Sequence, residues 1–403
     1  MNAKRMLALV LIYLVAVLGW MILGGVTAVR SDQFSRSLAM EVEQLWGSAL
    51  VQTAPSFAVE MPGSDRVRWI MPTANDIRVD LDTDYRKKGL VWYPTYVYRF
   101  AGDYTVTNSE ETARKIKLRC DLPVANGTYD EFSAQLDDRE IPVSLDDGGN
   151  IREIFELAPG KTSRFRITYR TRGIGEWRYR MDRNVGRVRK LKLVADTNFA
   201  AVDYAEGSLS PMSAVPSTKG MTLTWEASDL ITQQDIGIVI PEKLNPGPLA
   251  SRITFFAPVC LIFFFVLIVT INIVCKINIH PMHYLFVAAG FFAFHLLLAY
   301  LVDHIEIHPA FIISALASVA LVTSYLRGSL GGQFPWKTAV AGQLFFLVLF
   351  SYSFFLKGMT GLTVAVGSVV TLAILMKVTA HIDWDTVFGK KKASPPAVPS
   401  VVE

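Results

Sequence analysis

Apolar residues follow two patterns along this chain. Between Ala54 and Pro241 they alternate with polar residues in short runs, and from Ile253 onward they form long unbroken runs. The run Ile279–His304 is bounded by His280-Pro281 and by Asp303-His304. Proline suits a first helical position because its missing N–H is not needed there. About 20 residues lie between these boundaries with one interior ionisable group, His295, and that length spans a bilayer core. Ile253–Val274, Ala310–Leu326, Thr338–Leu356 and Gly361–Val378 are similar runs. Together they predict a helical membrane bundle.

A sixth apolar run, Met6–Val29, follows the basic Met1–Arg5. Val26-Thr27-Ala28 would serve as a signal cleavage site. The run exceeds the usual signal core of about 7–15 residues, however, which favours an uncleaved anchor. Gly24-Gly25 suits either close helix packing or a flexible end. Ser31 is expected to cap a second helix. Phe34, Leu38, Val42, Leu45, Trp46 and Ala49 recur on one face of it. Such a stripe lies on a bilayer, docks on the bundle, or packs on the neighbouring domain.

In the middle of the chain the period is two. Val91–Phe100, Tyr104–Thr107, Ala113–Cys120, Glu131–Leu136, Ile151–Leu157, Ser163–Tyr169, Glu176–Met181, Val188–Val194, Met221–Trp225 and Ile236–Ile240 read as strands. Asp146–Asn150 and Pro159-Gly160 read as turns. At about 190 residues this region can bury its own core. The expected fold is an α+β membrane protein. A six-helix transmembrane bundle carries a large extracytoplasmic antiparallel β-sandwich, inserted between helices 1 and 2. The expected segments are an N-terminal span (1–29), a juxtamembrane amphipathic helix (30–53), the β-domain (54–250), five further spans (251–384) and a disordered proline-rich tail (385–403).

The membrane region resembles the CreD family of inner-membrane, cell-envelope integrity proteins. Ile279-His280-Pro281, Tyr284-Leu285, Val287, Phe294, Leu296-Leu297-Leu298 and the closing Asp303-His304-Ile305 fall at that family's spacing. The family has glutamate at Asp303 and an aromatic at His295. Arg30, Glu41-Val42, Trp46-Gly47, Gln52 and Pro55 echo it near the N-terminus, although there the family's glutamine stands closer to the Trp-Gly pair. The resemblance covers Ile279–Trp384 best. It implies an integral inner-membrane protein, and the family has no settled molecular activity to carry over.

Composition agrees: 51% of the 403 residues are hydrophobic, which excludes a purely soluble chain. The net charge of +4 is diffuse, and no nucleic-acid motif is present. With six spans, Lys4-Arg5, Lys276, Arg327, Lys337, Lys377 and Lys390–Lys392 alternate onto one side, the cytoplasm. Both termini are then cytoplasmic and the β-domain periplasmic. Cys120 is the one cysteine of the β-domain, so no intrachain disulfide is expected there.

Candidate chemistry is sparse. All six histidines lie between His280 and His381. Asp303, His304, Glu306 and His308 share one outer loop, where they read either as metal ligands or as a polar hairpin tip at the headgroups. His295 within a span is a functional candidate by default. Its structural reading is a neutral imidazole bonded to Ser314, Ser318 or Thr323. Arg164, Arg166, Arg170, Arg172, Arg178, Arg180, Arg183, Arg187 and Arg189 suggest either a basic face for anionic headgroups or an acidic partner, or a solvated sheet face. No nucleophile elbow, Walker loop, dinucleotide pattern or zincin helix occurs, so no catalytic set, metal or cofactor is expected. The expected partners are the lipid bilayer and another envelope protein or anionic lipid headgroups, with no nucleic acid. The leading expectation is a non-enzymatic envelope protein. The alternative is a transporter or channel component working through the bundle, and a membrane enzyme ranks last.

Overall fold

The computed structural model describes residues 3–60, 67–125, 127–141, 150–182, 184, 186–331, 334–356 and 358–380. The turn at Asp146–Gly149, Arg183 and the tail from His381 onward, including Asp383-Trp384 and Lys390–Lys392, lie outside the described residues. The chain forms two compact units, Met1–Phe34 with Asn245–Glu403, and Ser35–Leu244.

The second unit is built on an eight-stranded sheet. Its spatial order is Arg139–Glu140, Asp130–Leu136, Thr162–Ile174, Thr95–Thr107, Ala74–Thr83, Val188–Thr197, Met221–Leu230 and Ser213–Pro216. One four-stranded sheet orders Leu50–Thr53, Glu176–Arg180, Ile236–Val239 and Asp203–Tyr204, and another orders Asn150–Leu157, Arg114–Asp121, Ser56–Glu60 and Val67–Ile70. Alternation puts Ile77, Val79 and Leu81 of one strand, and Tyr96, Tyr98, Phe100 and Tyr104 of the next, into one apolar core that also holds Phe57, Trp177 and Ile238. Side chains two apart share a face of a strand, so this pattern follows from the sequence.

Three expectations are corrected here, and the arginine-rich stretch takes one of its two expected forms in part. The pairing is mixed, since Leu50–Thr53 runs parallel to Glu176–Arg180 and Val188–Thr197 parallel to Ala74–Thr83. Ala74–Thr83 itself was not among the expected strands, because its outward positions are Asp76, Arg78, Asp80 and Asp82, poor strand formers. Val91–Phe100 is not one strand. Pro94, which cannot donate to a ladder, separates Val91–Tyr93 from Thr95–Thr107, and Val91–Tyr93 pairs instead with Arg86–Lys88. The arginine-rich stretch is largely neutralised. Arg164 and Arg166 meet Asp103 at 2.8 and 3.1 Å, Arg178 meets Glu176 at 2.8 Å, Arg180 meets Asp235 at 3.4 Å, and Arg187 pairs with Asp229.

The first helix, α1 (Ala3–Trp46), continues past Ser31, so the expected second helix is the C-terminal part of α1. Arg30-Ser31-Asp32-Gln33 contains no glycine or proline, so nothing in the sequence stops the helix there. Ser31 packs against Gly247 instead, where an added Cβ would lie 2.1 Å from the Ser31 Oγ. The helix stops at Gly47, whose φ of +118° lies in the region that favours glycine, and a Cβ there would stand 2.7 Å from the Arg172 carbonyl oxygen. Beyond Phe34 the apolar stripe packs within the second unit: Leu38, Val42 and Trp46 meet Val91, Tyr93 and Ile174. Two guanidinium groups flank the Trp46 ring, Arg86 at 3.9 Å and Arg172 at 4.7 Å.

In the first unit α1 is joined by α2 (Pro246–Val274), α3 (Pro281–Leu301) and α4 (Ile307–Leu330), then by the spans Trp336–Phe355 and Thr360–Thr379. Among the described residues these six helices are long and apolar enough to cross a membrane. α4 runs through Gly328 to Leu330. Gly24 brings α1 close to α2: its carbonyl accepts from Ser251 Oγ at 3.0 Å, and a Cβ there would be 2.9 Å from the Phe255 ring.

On the eight-stranded sheet Asp80 stands in register with Asp196 across the parallel pair. Desolvation, then the charges of Asp196 and Asp82, raise the Asp80 carboxyl above its ordinary range, against the opposing pull of Arg99 and Lys219. A raised folded-state pKa means that ionised Asp80 opposes folding. That penalty is full above the folded pKa and disappears as pH falls below the unfolded value. The closed core predicts that Ser35–Leu244 folds alone. In that segment Asp80→Asn should raise the Tm at pH 7 by about 1–2 °C, with the gain shrinking as the pH is lowered through the acidic range. Thermal unfolding at both pH values tests this, and a lower Tm for the variant at pH 7 would contradict it.

Candidate functional site

The bundle interior holds the polar groups that the sequence singles out. His295 sits on α3 with no exposed surface. Its Nδ1–H donates to the Phe291 carbonyl of its own helix at 2.9 Å, and its Nε2 has no hydrogen-bond partner. The carbonyl can only accept, so the bare Nε2 is the acceptor nitrogen. The Trp20 ring of α1 stands edge-on at 5.6 Å and the Phe294 ring at 4.7 Å. The Trp20 indole N–H is likewise buried without a partner.

The expected bond from His295 to a hydroxyl of the next helix is therefore absent. Ser314 Oγ donates to its own-helix carbonyl at Ala310, 2.7 Å away, as serines inside helices commonly do. Ser318 does cross to α3, but it donates to the Gly290 carbonyl at 2.7 Å. Gly290 admits α4 because it has no side chain: a Cβ there would lie 2.4 Å from Val322 Cγ2. Five residues further along a helix turns the chain by about 140°, which takes His295 off that seam. Thr323 Oγ1 has no partner at all.

The Gly290 seam continues into the fifth span. Gln343 Nε2 donates to Ser318 Oγ at 3.0 Å, while its Oε1 is buried and unpaired. Immediately after Gln343 the helix widens into a π turn, Leu344–Leu349. Single π turns are frequent at functional sites. Gln343 was missed in the sequence, although an amide alone inside an apolar run was its visible signal.

The residues of the loop between α3 and α4 do not converge. Asp303 turns to Arg30 of α1, 3.1 Å from its Nη2, and the same guanidinium donates to the Ala299 carbonyl at 2.5 Å and lies 4.8 Å from the centre of the Tyr300 ring. His304 is exposed, and Glu306 occupies the N-cap of α4. His308 lies in the first turn of α4 rather than in the loop, stacked on Phe355 at 4.8 Å. Among the described residues no group of three or more His, Cys, Asp or Glu side chains is placed to hold a metal. Arg30 was missed as a site residue. Its signal was the pair of family-like positions, Arg30 and Asp303, which the fold brings together.

Residues 215–385 match the family model described as Inner membrane protein CreD. This agrees with the resemblance read in the C-terminal membrane region. Together with the six apolar helices, it supports an integral inner-membrane protein. No curated protein matches the chain. Among solved structures, a Legionella pneumophila protein provisionally named as nutrient binding is 12% identical, with a TM-score of 0.36 over 54% of this chain and 76% of that one. A Deinococcus radiodurans M1 zinc metallopeptidase variant with a bound Tyr-Ser-Ala substrate is 13% identical, with a TM-score of 0.25 over 43% of this chain and 42% of that one. Neither likeness bears on fold or function.

Two outcomes are expected from this geometry. His295→Phe should be close to neutral, within about 1 kcal/mol, because it removes one bond to a carbonyl and also removes an unsatisfied acceptor. Thermal denaturation in detergent measures this, and a loss well beyond that range would mean that the imidazole has a partner in solution. Arg30 and Asp303 should couple by about 0.5–1 kcal/mol in a double-mutant cycle of Arg30→Gln and Asp303→Asn. Strictly additive effects would show that the ion pair contributes nothing.

Proposed function

We propose that this chain is an inner-membrane protein that holds a β-sandwich domain in the periplasm. It serves cell-envelope integrity or stress response without catalysing a reaction, by binding a partner protein or lipid. The observation that carries this reading is the packing around His295. Aromatic rings of α1 and α3 close on the imidazole, and the intramembrane histidine has an apolar setting rather than a chain of proton-relaying groups. The bundle then works as an anchor, and the β unit is left as the part that meets other molecules. The sandwich is inferred from one apolar core that draws on the eight-stranded sheet and both four-stranded sheets.

Orientation follows from charge. Lys4, Arg5, Lys276, Arg327, Lys337 and Lys377 fall at alternate connections of six spans, and basic connections stay in the cytoplasm. Both termini are then cytoplasmic. Reporter fusions after Asn245 and after Lys392 should give opposite locations, and the same location at both sites would end this model.

A transport role keeps one observation in its favour, the polar line Gly290–Ser318–Gln343 beside a π turn. Ser318→Ala combined with Gln343→Leu separates the two readings. An unchanged envelope phenotype fits the anchor. Loss of the phenotype, with the protein still inserted and equally stable, would favour transport.

A further inference from the structure

At the end of the bundle where α2 gives way to α3, a cleft of about 380 Å³ opens against the start of α1. Arg5 and Lys276 line it, with Asn272, Asn278 and Tyr284. Among the described residues neither cation meets a carboxylate. Arg5 Nη1 donates to Asn278 Oδ1, and the Asn278 NH2 remains as a donor. Tyr284 is 1% exposed, and its hydroxyl makes no hydrogen bond of normal geometry. A buried hydroxyl is seldom left unpaired, since its desolvation is then uncompensated.

We infer that this cleft binds the phosphate of an anionic phospholipid, of which phosphatidylglycerol is the simplest. The inference rests on the membrane-spanning reading above and adds a ligand to it. The donors around the cleft are all of the kind that serve a phosphate oxygen: a guanidinium, an ammonium, two amides and a phenol. Among the described residues two cationic side chains and no carboxylate line the cleft, which disfavours a cationic ligand. Leu9 and Ile277 stand beside these donors in the same cleft. An apolar wall next to an anion site suits a molecule with acyl chains rather than a free ion. Basic residues at the headgroup level attract anionic lipid in any case. The buried Tyr284 hydroxyl, set beside the Asn272 amide without a hydrogen bond of normal geometry, distinguishes a built site from general attraction.

The full-length protein in mild detergent tests this by native mass spectrometry, with phosphatidylglycerol or phosphatidylcholine offered at equal mole fraction in mixed micelles. The wild type should retain one phosphatidylglycerol in preference. Arg5→Gln with Lys276→Gln should weaken that retention by about thirtyfold, the scale for two basic residues near a membrane surface. Tyr284→Phe should weaken it without changing the Tm measured in phosphatidylcholine alone. If the double variant does not fold, Lys276→Gln alone, at an exposed position, should still lower retention. Equal retention of the two lipids would overturn the inference, as would undiminished phosphatidylglycerol on the charge-free variant. Inorganic phosphate that displaced the lipid at millimolar concentration would assign the cleft to a free anion and overturn the lipid. Loss of lipid preference with the reporter fusions still opposite would leave the proposed function standing.

Discussion

A membrane bundle has no hydrophobic force between its helices, because lipid tails are as apolar as leucine. What holds this bundle together must therefore be close packing and a small number of polar contacts, and the Arg30 guanidinium is the most connected of these. It reaches from α1 to the end of α3, where it meets the Asp303 carboxylate, the Ala299 carbonyl and the Tyr300 ring at once. The carbonyl belongs to the last turn of α3, where backbone acceptors lack helical donors and a cation is favoured. Arginine can serve all three because its fork is planar and carries five donors. Lysine at position 30 would keep the charge and lose the fork. The contact also commits part of the loop between α3 and α4. Asp303 is committed, and His308 is stacked on Phe355.

Small residues do the rest of the assembly. Gly24 lets α2 approach α1, Gly247 receives Ser31, and Gly290 lets α4 approach α3. At two of these places a polar group crosses the gap: Ser251 to the Gly24 carbonyl and Ser318 to the Gly290 carbonyl. The pairing is physical rather than coincidental. Without a side chain the glycine carbonyl is uncovered, and a serine hydroxyl on the approaching helix is short enough to reach it. The β unit is organised by different means. There the period-two pattern buries whole rows of aromatic side chains, and its surface arginines are held by neighbouring carboxylates.

Period and length made the larger parts of this structure legible. Each of the six spans falls on a long apolar run, which has few alternatives, although α1 continues well past Val29 and α2 begins before Ile253. Strands were found across most of the alternating runs from Val91 onward, but Leu50–Thr53, Ser56–Glu60 and Val67–Ile70 were not. Ala74–Thr83 was overlooked because aspartates fill its outward face, although Ile77, Val79 and Leu81 keep strict alternation. The break expected at Ser31 illustrates the weakness of capping signals. A serine before an apolar stripe caps a helix only if the chain leaves the helix there, and nothing in Arg30–Gln33 forces it to. The candidate site was only half legible. An ionisable residue within an apolar run can be seen, and His295 was. Its partner could not be seen, because rotation about α3 decides which neighbour it faces, and that is set by where Gly290 lets α4 in.

The same rotation explains why a histidine can stand at position 295. The resemblance puts an aromatic residue there, and the surroundings are those of an aromatic ring: Trp20 and Phe294 both stand edge-on to it. An imidazole keeps the flat shape and the edge-to-face geometry that such rings prefer. It satisfies one nitrogen on the Phe291 carbonyl, which costs the helix nothing because a carbonyl has a second lone pair. The other nitrogen stays bare beside an indole N–H that is also bare. A donor and an acceptor are thus left unpaired in adjoining rings. The surroundings of His295 therefore form an aromatic seam with one unmade hydrogen bond, and among the described residues a charge on His295 would find no counter-ion in that seam.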